Sequence, residues 1–210
     1  MNTHATMNRL RAAGVIAVVR ARHAEEALRV SDALIAGGII GIEITFTTPG
    51  AEDAIRRARA MHGDRIVVGA GTVTSAEHIR RAADAGAEYL VSPGSPPSLV
   101  TAMADSGLLT MTGCLTPTEA MVALEAGAHV IKLFPSSLGG IPYLRALRGP
   151  FPDLPIVPTG GITPENAREW IAAGALAVGA GSDLTPASAI ASEHWDEITR
   201  RARAFVQALA

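Results

Sequence analysis

The chain has 210 residues, 48% hydrophobic and 18% charged, with a net charge of −2. That length makes one domain, able to hide roughly 70% of its unfolded surface without disulfide staples. Near-neutral charge and 4% aromatic content supply neither the basic footprint nor the stacking platforms of a nucleic-acid binder.

From the N-terminus, MNTHATMNRLRAAG lacks the apolar core of a signal peptide, and residues 1–12 are expected to form an extension or short helix. No run reaches the roughly 18 apolar residues of a membrane helix, and Cys114 has no second cysteine to pair with. The expectation is a soluble, cytoplasmic protein with no membrane partner, in which Cys114 is a small core residue.

A local theme then repeats: a helical pattern ends in Ala-Gly and a β-rich run follows, at Gly37, Gly86, Gly127 and Gly174. Glycine just past a helix adopts the left-handed conformation that closes it. Strands are expected at 14–20, 40–46, 66–72, 89–93, 108–114, 130–135, 156–160 and 176–182. Between them, Thr74 with Glu77 and Thr116 with Glu119 read as capping boxes. Pro117 and Thr163-Pro164 place proline at the first helical position, and Pro96-Pro97 opens another helix. The last helix, 195–209, lines up Trp195, Ile198, Ala202, Phe205, Val206 and Leu209 on one packing face. Eight alternating units in residues 1–210 predict a single α/β domain, a (β/α)8 TIM barrel near the lower size limit; a doubly wound open sheet is the alternative.

Two strands carry chemistry. In the second, Ile42, Ile44 and Phe46 alternate with Glu43, Thr45 and Thr47, so a barrel that packs the apolar set on helices points Glu43 inward. An interior carboxylate is costly unless paired or used for proton transfer. In the sixth, Val130, Lys132 and Phe134 share the inward face. The chain has 17 arginines and Lys132 as its one lysine. Low dielectric disfavours the ammonium form, and a neutral amine can condense with a ketone to a Schiff base. Arginine would serve an ion pair as well but cannot form an imine, so a lone interior lysine points to amine chemistry; the alternative is a structural pair with Glu43.

Glycine-rich turns end the last two strands: Thr159-Gly160-Gly161-Ile162-Thr163 and Gly179-Ala180-Gly181-Ser182-Asp183. Barrels bind phosphate in these loops through backbone N–H groups and a helix N-terminus. Arg20, ending the first strand, could hold an anion. The histidines show no metal-ligand spacing, and no metal is expected.

Together these residues resemble the KDPG and KHG aldolase family, class I Schiff-base lyases acting on 2-keto-3-deoxy-6-phosphogluconate or 4-hydroxy-2-oxoglutarate. The matching segments run in order: GVIAVVR at 14–20, GIEIT at 41–45, VGAGTV at 68–73, VSPG at 91–94, KLFP at 132–135, PTGGI at 158–162 and GxGS at 179–182. The resemblance implies Lys132 as Schiff-base lysine and Glu43 as general acid and base. It further implies that Thr72, Pro93 and Phe134 line the pyruvate end, and that Thr159, Gly160, Gly161, Gly181 and Ser182 surround the phosphate. It implies no cofactor beyond the Schiff base, a phosphorylated keto acid and pyruvate as ligands, and a homotrimer. In many members an arginine stands four residues after the glutamate. Thr47 takes that place here, leaving Thr47, Thr72 and Arg20 as candidates to hold the substrate carboxylate. A phosphosugar isomerase or epimerase, or a non-catalytic phosphosugar-binding barrel, is the alternative function.

Overall fold

The computed structural model describes residues 2–210. Its strands are β1 (Val15–Val19), β2 (Gly41–Thr45), β3 (Val67–Gly71), β4 (Tyr89–Ser92), β5 (Leu109–Cys114), β6 (Val130–Leu133), β7 (Ile156–Pro158) and β8 (Val178–Ala180). Its helices are α1 (Thr3–Ala13), α2 (Ala24–Ala36), α3 (Ala51–His62), α4 (Ala76–Asp84), α5 (Pro97–Asp105), α6 (Pro117–Glu125), α7 (Gly140–Leu147), α8 (Pro164–Ala172), α9 (Ala187–Ala191) and α10 (Trp195–Leu209).

All strand pairs are parallel, in the order β7-β6-β5-β4-β3-β2-β1-β8. A single bridge between Thr159 and Gly179 closes the ring between β7 and β8. This is a (β/α)8 TIM barrel in one domain, so the open-sheet alternative falls.

The period-two pattern sorts side chains into two cores. Ile42, Ile44, Ile131 and Leu133 face outward and pack with helical residues such as Leu34, Ile55 and Phe205. Ile16, Val67, Tyr89, Val91, Leu109, Met111, Val130 and Val157 face inward and fill the barrel. Each such apolar side chain contributes about 1.5–3 kcal/mol when buried. The expected N-terminal helix is α1, and it closes the lower end: Leu10 is fully buried in the inner core. The buried Glu88 ties that end together, accepting from Arg9 of α1 and, at 2.9 Å, from Arg59 of α3.

Several local expectations shift. The strands at the last two positions are shorter than expected, because the glycine-rich turns begin the loops rather than extend the ladder. The cap of α4 is Ser75, whose Oγ accepts from the His78 amide at 3.2 Å, not Thr74. The Thr116–Glu119 capping box forms as expected. Gly86, Gly127 and Gly174 are left-handed, but Gly37 has φ −85° and Gly38, at φ 97°, makes the reversal. Gly37 answers to packing instead: a Cβ there would lie 2.3 Å from Ala202 on α10. On α10, Ile198, Ala202 and Phe205 are fully buried, as the helical spacing predicts. Cys114 is buried, and burial pushes its thiol up to about 11, which leaves it inert as a nucleophile.

Candidate active site

Glu43 lies in the middle of β2, paired in register with Val18 and Gly69; Lys132 lies on β6, paired with Gly113 and Val157. Both side chains point into the barrel toward its C-terminal mouth. Lys132 is 7% exposed and Glu43 2%. Lys132 Nζ stands 3.6 Å from Glu43 Oε1, and that oxygen has no hydrogen-bond partner among the described residues. A buried acceptor without a donor is an unstable resting arrangement unless a ligand or water completes it. The other side of Lys132 meets Phe134, whose ring centroid is 5.4 Å from Nζ.

The space for Glu43 is made by glycine. A Cβ on Gly71 of β3 would fall 2.1 Å from Glu43 Oε1. Just above, Thr72 has φ 53°, a left-handed backbone that a β-branched residue adopts only under strain. That turn brings Thr72 into the wall of the cleft beside Glu43.

The cleft has a volume of about 560 Å³. Arg20, Thr72, Pro93 and Phe134 line it around Lys132 and Glu43, and Thr159, Gly160, Gly161, Gly181 and Ser182 line the far end. The one candidate not on its wall is Thr47, which lines a neighbouring hollow of about 620 Å³ that also touches Arg20 and Ser182. Thr47 still meets the site through a hydrogen-bonded chain. Arg20 Nε donates to Thr47 Oγ1 at 3.0 Å, Thr47 and Thr45 share a 2.8 Å bond, and Thr45 Oγ1 donates to the Val19 carbonyl at 3.1 Å. The chain fixes the arm of Arg20, whose terminal nitrogens make no hydrogen bond among the described residues.

At the far end, three carbonyls are tied back into the protein. Gly160 O accepts from Ser136 Oγ at 2.7 Å, Gly161 O from Asn166 Nδ2 at 2.9 Å, and Gly181 O from the Thr185 amide at 2.8 Å. In a trans peptide the next N–H points opposite to the carbonyl. The amides of Gly161, Ile162 and Ser182 therefore point away from those anchors, and all three residues line the cleft. Below them α8 presents its N-terminus, with the Thr163 amide bonded to Asn166 Oδ1 at 3.0 Å. Donors facing outward beside a helix N-terminus suit an anion.

The cleft also contains Ile162, Thr163, Gly179 and Asp183, which belong to the two glycine-rich turns of the sequence reading though none was given a role, and Val18, which that reading left out. Alternation from Arg20 would have found Val18. Asp183 carries a charge hostile to an anion, but Arg201 of α10 stands against it, 3.9 Å from Oδ1 and 2.8 Å from its carbonyl.

Fold and cleft together are those of a (β/α)8 barrel with a lysine and a carboxylate facing each other at its C-terminal mouth. The KDPG and KHG aldolase family matches residues 6–201. The 2-dehydro-3-deoxy-6-phosphogalactonate aldolase of Escherichia coli is 36% identical over 195 residues, 92% of this chain and 93% of that one. The 2-dehydro-3-deoxy-phosphogluconate aldolase of Haemophilus influenzae is 35% identical over 97% of this chain and 96% of its own. The KDPG aldolase of Legionella pneumophila, a structure with pyruvate captured as a covalent carbinolamine, superposes with a TM-score of 0.87 at 34% identity, covering 98% of each chain. The chain belongs to the KDPG and KHG aldolase family. Among the described residues no helix is long and apolar enough to cross a membrane.

Proposed function

We propose that the chain is a Schiff-base aldolase that cleaves 2-keto-3-deoxy-6-phosphogluconate to pyruvate and glyceraldehyde 3-phosphate, with 4-hydroxy-2-oxoglutarate as a second substrate class. The observation that carries this reading is the pair of buried groups, Lys132 Nζ and Glu43 Oε1, 3.6 Å apart on the floor of a cleft with amides at its far end.

In this mechanism Glu43 accepts a proton from Lys132, and the free amine attacks the C2 ketone. The carbinolamine loses water, with Glu43 moving the protons, and leaves an iminium. Glu43 then takes the C4 hydroxyl proton. The C3–C4 bond breaks, its electrons flow to the iminium nitrogen, and the aldehyde departs. Glu43 returns the proton to C3 of the enamine, and water releases pyruvate from Lys132. Positioned proton transfer contributes about 10²–10⁴-fold, and orientation by the anion sites adds to it.

Arg20, steadied by Thr47, and Thr72 hold the carboxylate; Pro93 and Phe134 bound the pyruvate end; Thr159, Gly160, Gly161, Gly181 and Ser182 take the phosphate. As the resemblance implies, the enzyme works as a homotrimer, and Met121, Val122 and Leu124 on α6 with Leu138 beyond β6 are exposed apolar side chains available for such contact.

The test is steady-state comparison of 2-keto-3-deoxy-6-phosphogluconate, its galactonate epimer and 4-hydroxy-2-oxoglutarate, reading pyruvate and aldehyde release. The reading expects the phosphogluconate derivative to show the highest kcat/KM. Preference for the galactonate epimer would move the substrate assignment, and no carbon–carbon cleavage of any of the three would sink the function.

A further inference from the structure

Tyr89 is the one large polar side chain inside the barrel that the proposed reaction leaves unused. It is fully buried, and its hydroxyl has no hydrogen-bond partner among the described residues. Its place is set by glycine. The position a Cβ on Gly69 would occupy is filled by the Tyr89 ring at 2.5 Å, as the position above Gly71 is filled by the Glu43 carboxylate at 2.1 Å. Gly69 and Gly71 point the same way on β3, two residues and so about 6.6 Å apart. The tyrosine ring therefore lies one layer beneath the carboxylate, in the same channel of missing side chains.

Two orphaned polar atoms thus share one interior: the Tyr89 hydroxyl and Glu43 Oε1. Leaving either without a partner is costly, and buried polar groups in such a position are completed by ordered water. The Glu43 charge reaches the phenol: after burial, it is the next cause holding the Tyr89 hydroxyl well above the ordinary phenol range. Tyr89 is thus a neutral donor beneath a carboxylate.

We infer that Tyr89 is a positioning residue for Glu43, donating through one buried water to Oε1 and so fixing the carboxylate for proton transfer at substrate C3. The inference rests on the aldolase reading and adds to it a support below the reacting groups. The hydroxyl touches no substrate; it acts only through Glu43. Lys132 on β6, Arg20 just past β1 and Asp183 beyond β8 are the charged groups that share its cleft. Beneath, the Tyr89 ring fills the layer at Gly69, and Glu88 lies farther down, tied to Arg9 and Arg59.

The test uses the exchange of pyruvate methyl protons for deuterium, which needs Lys132 to form the enamine and Glu43 to move the C3 proton. In Tyr89→Phe, borohydride trapping of pyruvate and the KM for pyruvate should stay at the wild-type level. Exchange should slow roughly tenfold, the weight of one lost hydrogen bond to a charged group. Exchange within about twofold of wild type would overturn the inference, as would equal loss of trapping and exchange, which marks general damage to the site. A crystal structure of the wild-type enzyme decides it separately: a water between Tyr89 Oη and Glu43 Oε1 is expected, and a dry contact there would overturn the inference even in a protein that does not exchange pyruvate protons.

Discussion

A lone lysine in a protein of 17 arginines is the most informative residue in the sequence, and the fold shows why it mattered where it stood. Position 132 sits in an apolar strand, so a cation there needs either a partner or a use. The fold supplies a partner in Glu43, and the two readings of the lysine, structural pair and reactive amine, share one geometry. Glu43 Oε1 stands 3.6 Å from Nζ without a hydrogen-bond donor among the described residues, and the Schiff-base proposal gives that unpaired acceptor a use. A purely structural pair would close to hydrogen-bond distance and satisfy both oxygens. Glu43→Gln tests the division of labour: given time, the variant should still accumulate the imine with pyruvate, formed more slowly, but lose about 10²–10⁴-fold in turnover. Turnover near the wild-type level would remove Glu43 from the proton transfers.

Among the elements, β3 does the least visible work. Its inward positions are Val67, Gly69 and Gly71, and the two glycines exist to make room for Tyr89 and Glu43. Gly71→Ala should cost about 1–3 kcal/mol in urea unfolding and displace Glu43, with loss of activity. Gly94→Ala, where a Cβ meets nothing within 4 Å, should stay within about 0.5 kcal/mol of wild type. Equal stability of the two variants would refute the crowding described for β3. The start of α6 carries a second expectation. The amides of Leu115 and Thr116 hold the Glu119 carboxyl below its ordinary value, against a smaller opposing effect of burial. A depressed carboxyl stabilises the fold above its unfolded pKa of about 4.3, and that stability is lost as pH falls through the folded value. Unfolding midpoints should therefore fall less steeply between about pH 5 and pH 3 in Glu119→Gln than in wild type. Parallel pH profiles would show that this cap carries no pH dependence.

Over the molecule as a whole, periodicity carried the architecture. Strict alternation in β2 and β6 was enough to assign inward and outward faces, and proline with Thr116 marked the start of α6. What escaped was set by contacts distant in sequence. Gly37 looks like a helix terminator but answers to Ala202 on α10, and nothing near position 37 announces that neighbour. Asp183 sits in a turn the sequence marks for an anion, and what makes its charge tolerable there is Arg201, 18 residues on. Thr47 is a carboxylate candidate through the resemblance, standing where many members carry an arginine; the turn after β2 carries it to the flank, where it steadies Arg20. Assembly is the remaining expectation. Light scattering should return three times the 21.7 kDa chain mass, and a stable single-chain mass at enzyme-assay concentration would contradict the trimer.

The central claim is that the Lys132 amine becomes covalently joined to a keto acid. Incubation with pyruvate and borohydride, followed by peptide mass mapping, tests it most directly. One reduced pyruvate adduct on the peptide containing Lys132, absent in Lys132→Ala, is the predicted result. An unmodified chain, or an adduct that persists in Lys132→Ala, would contradict it.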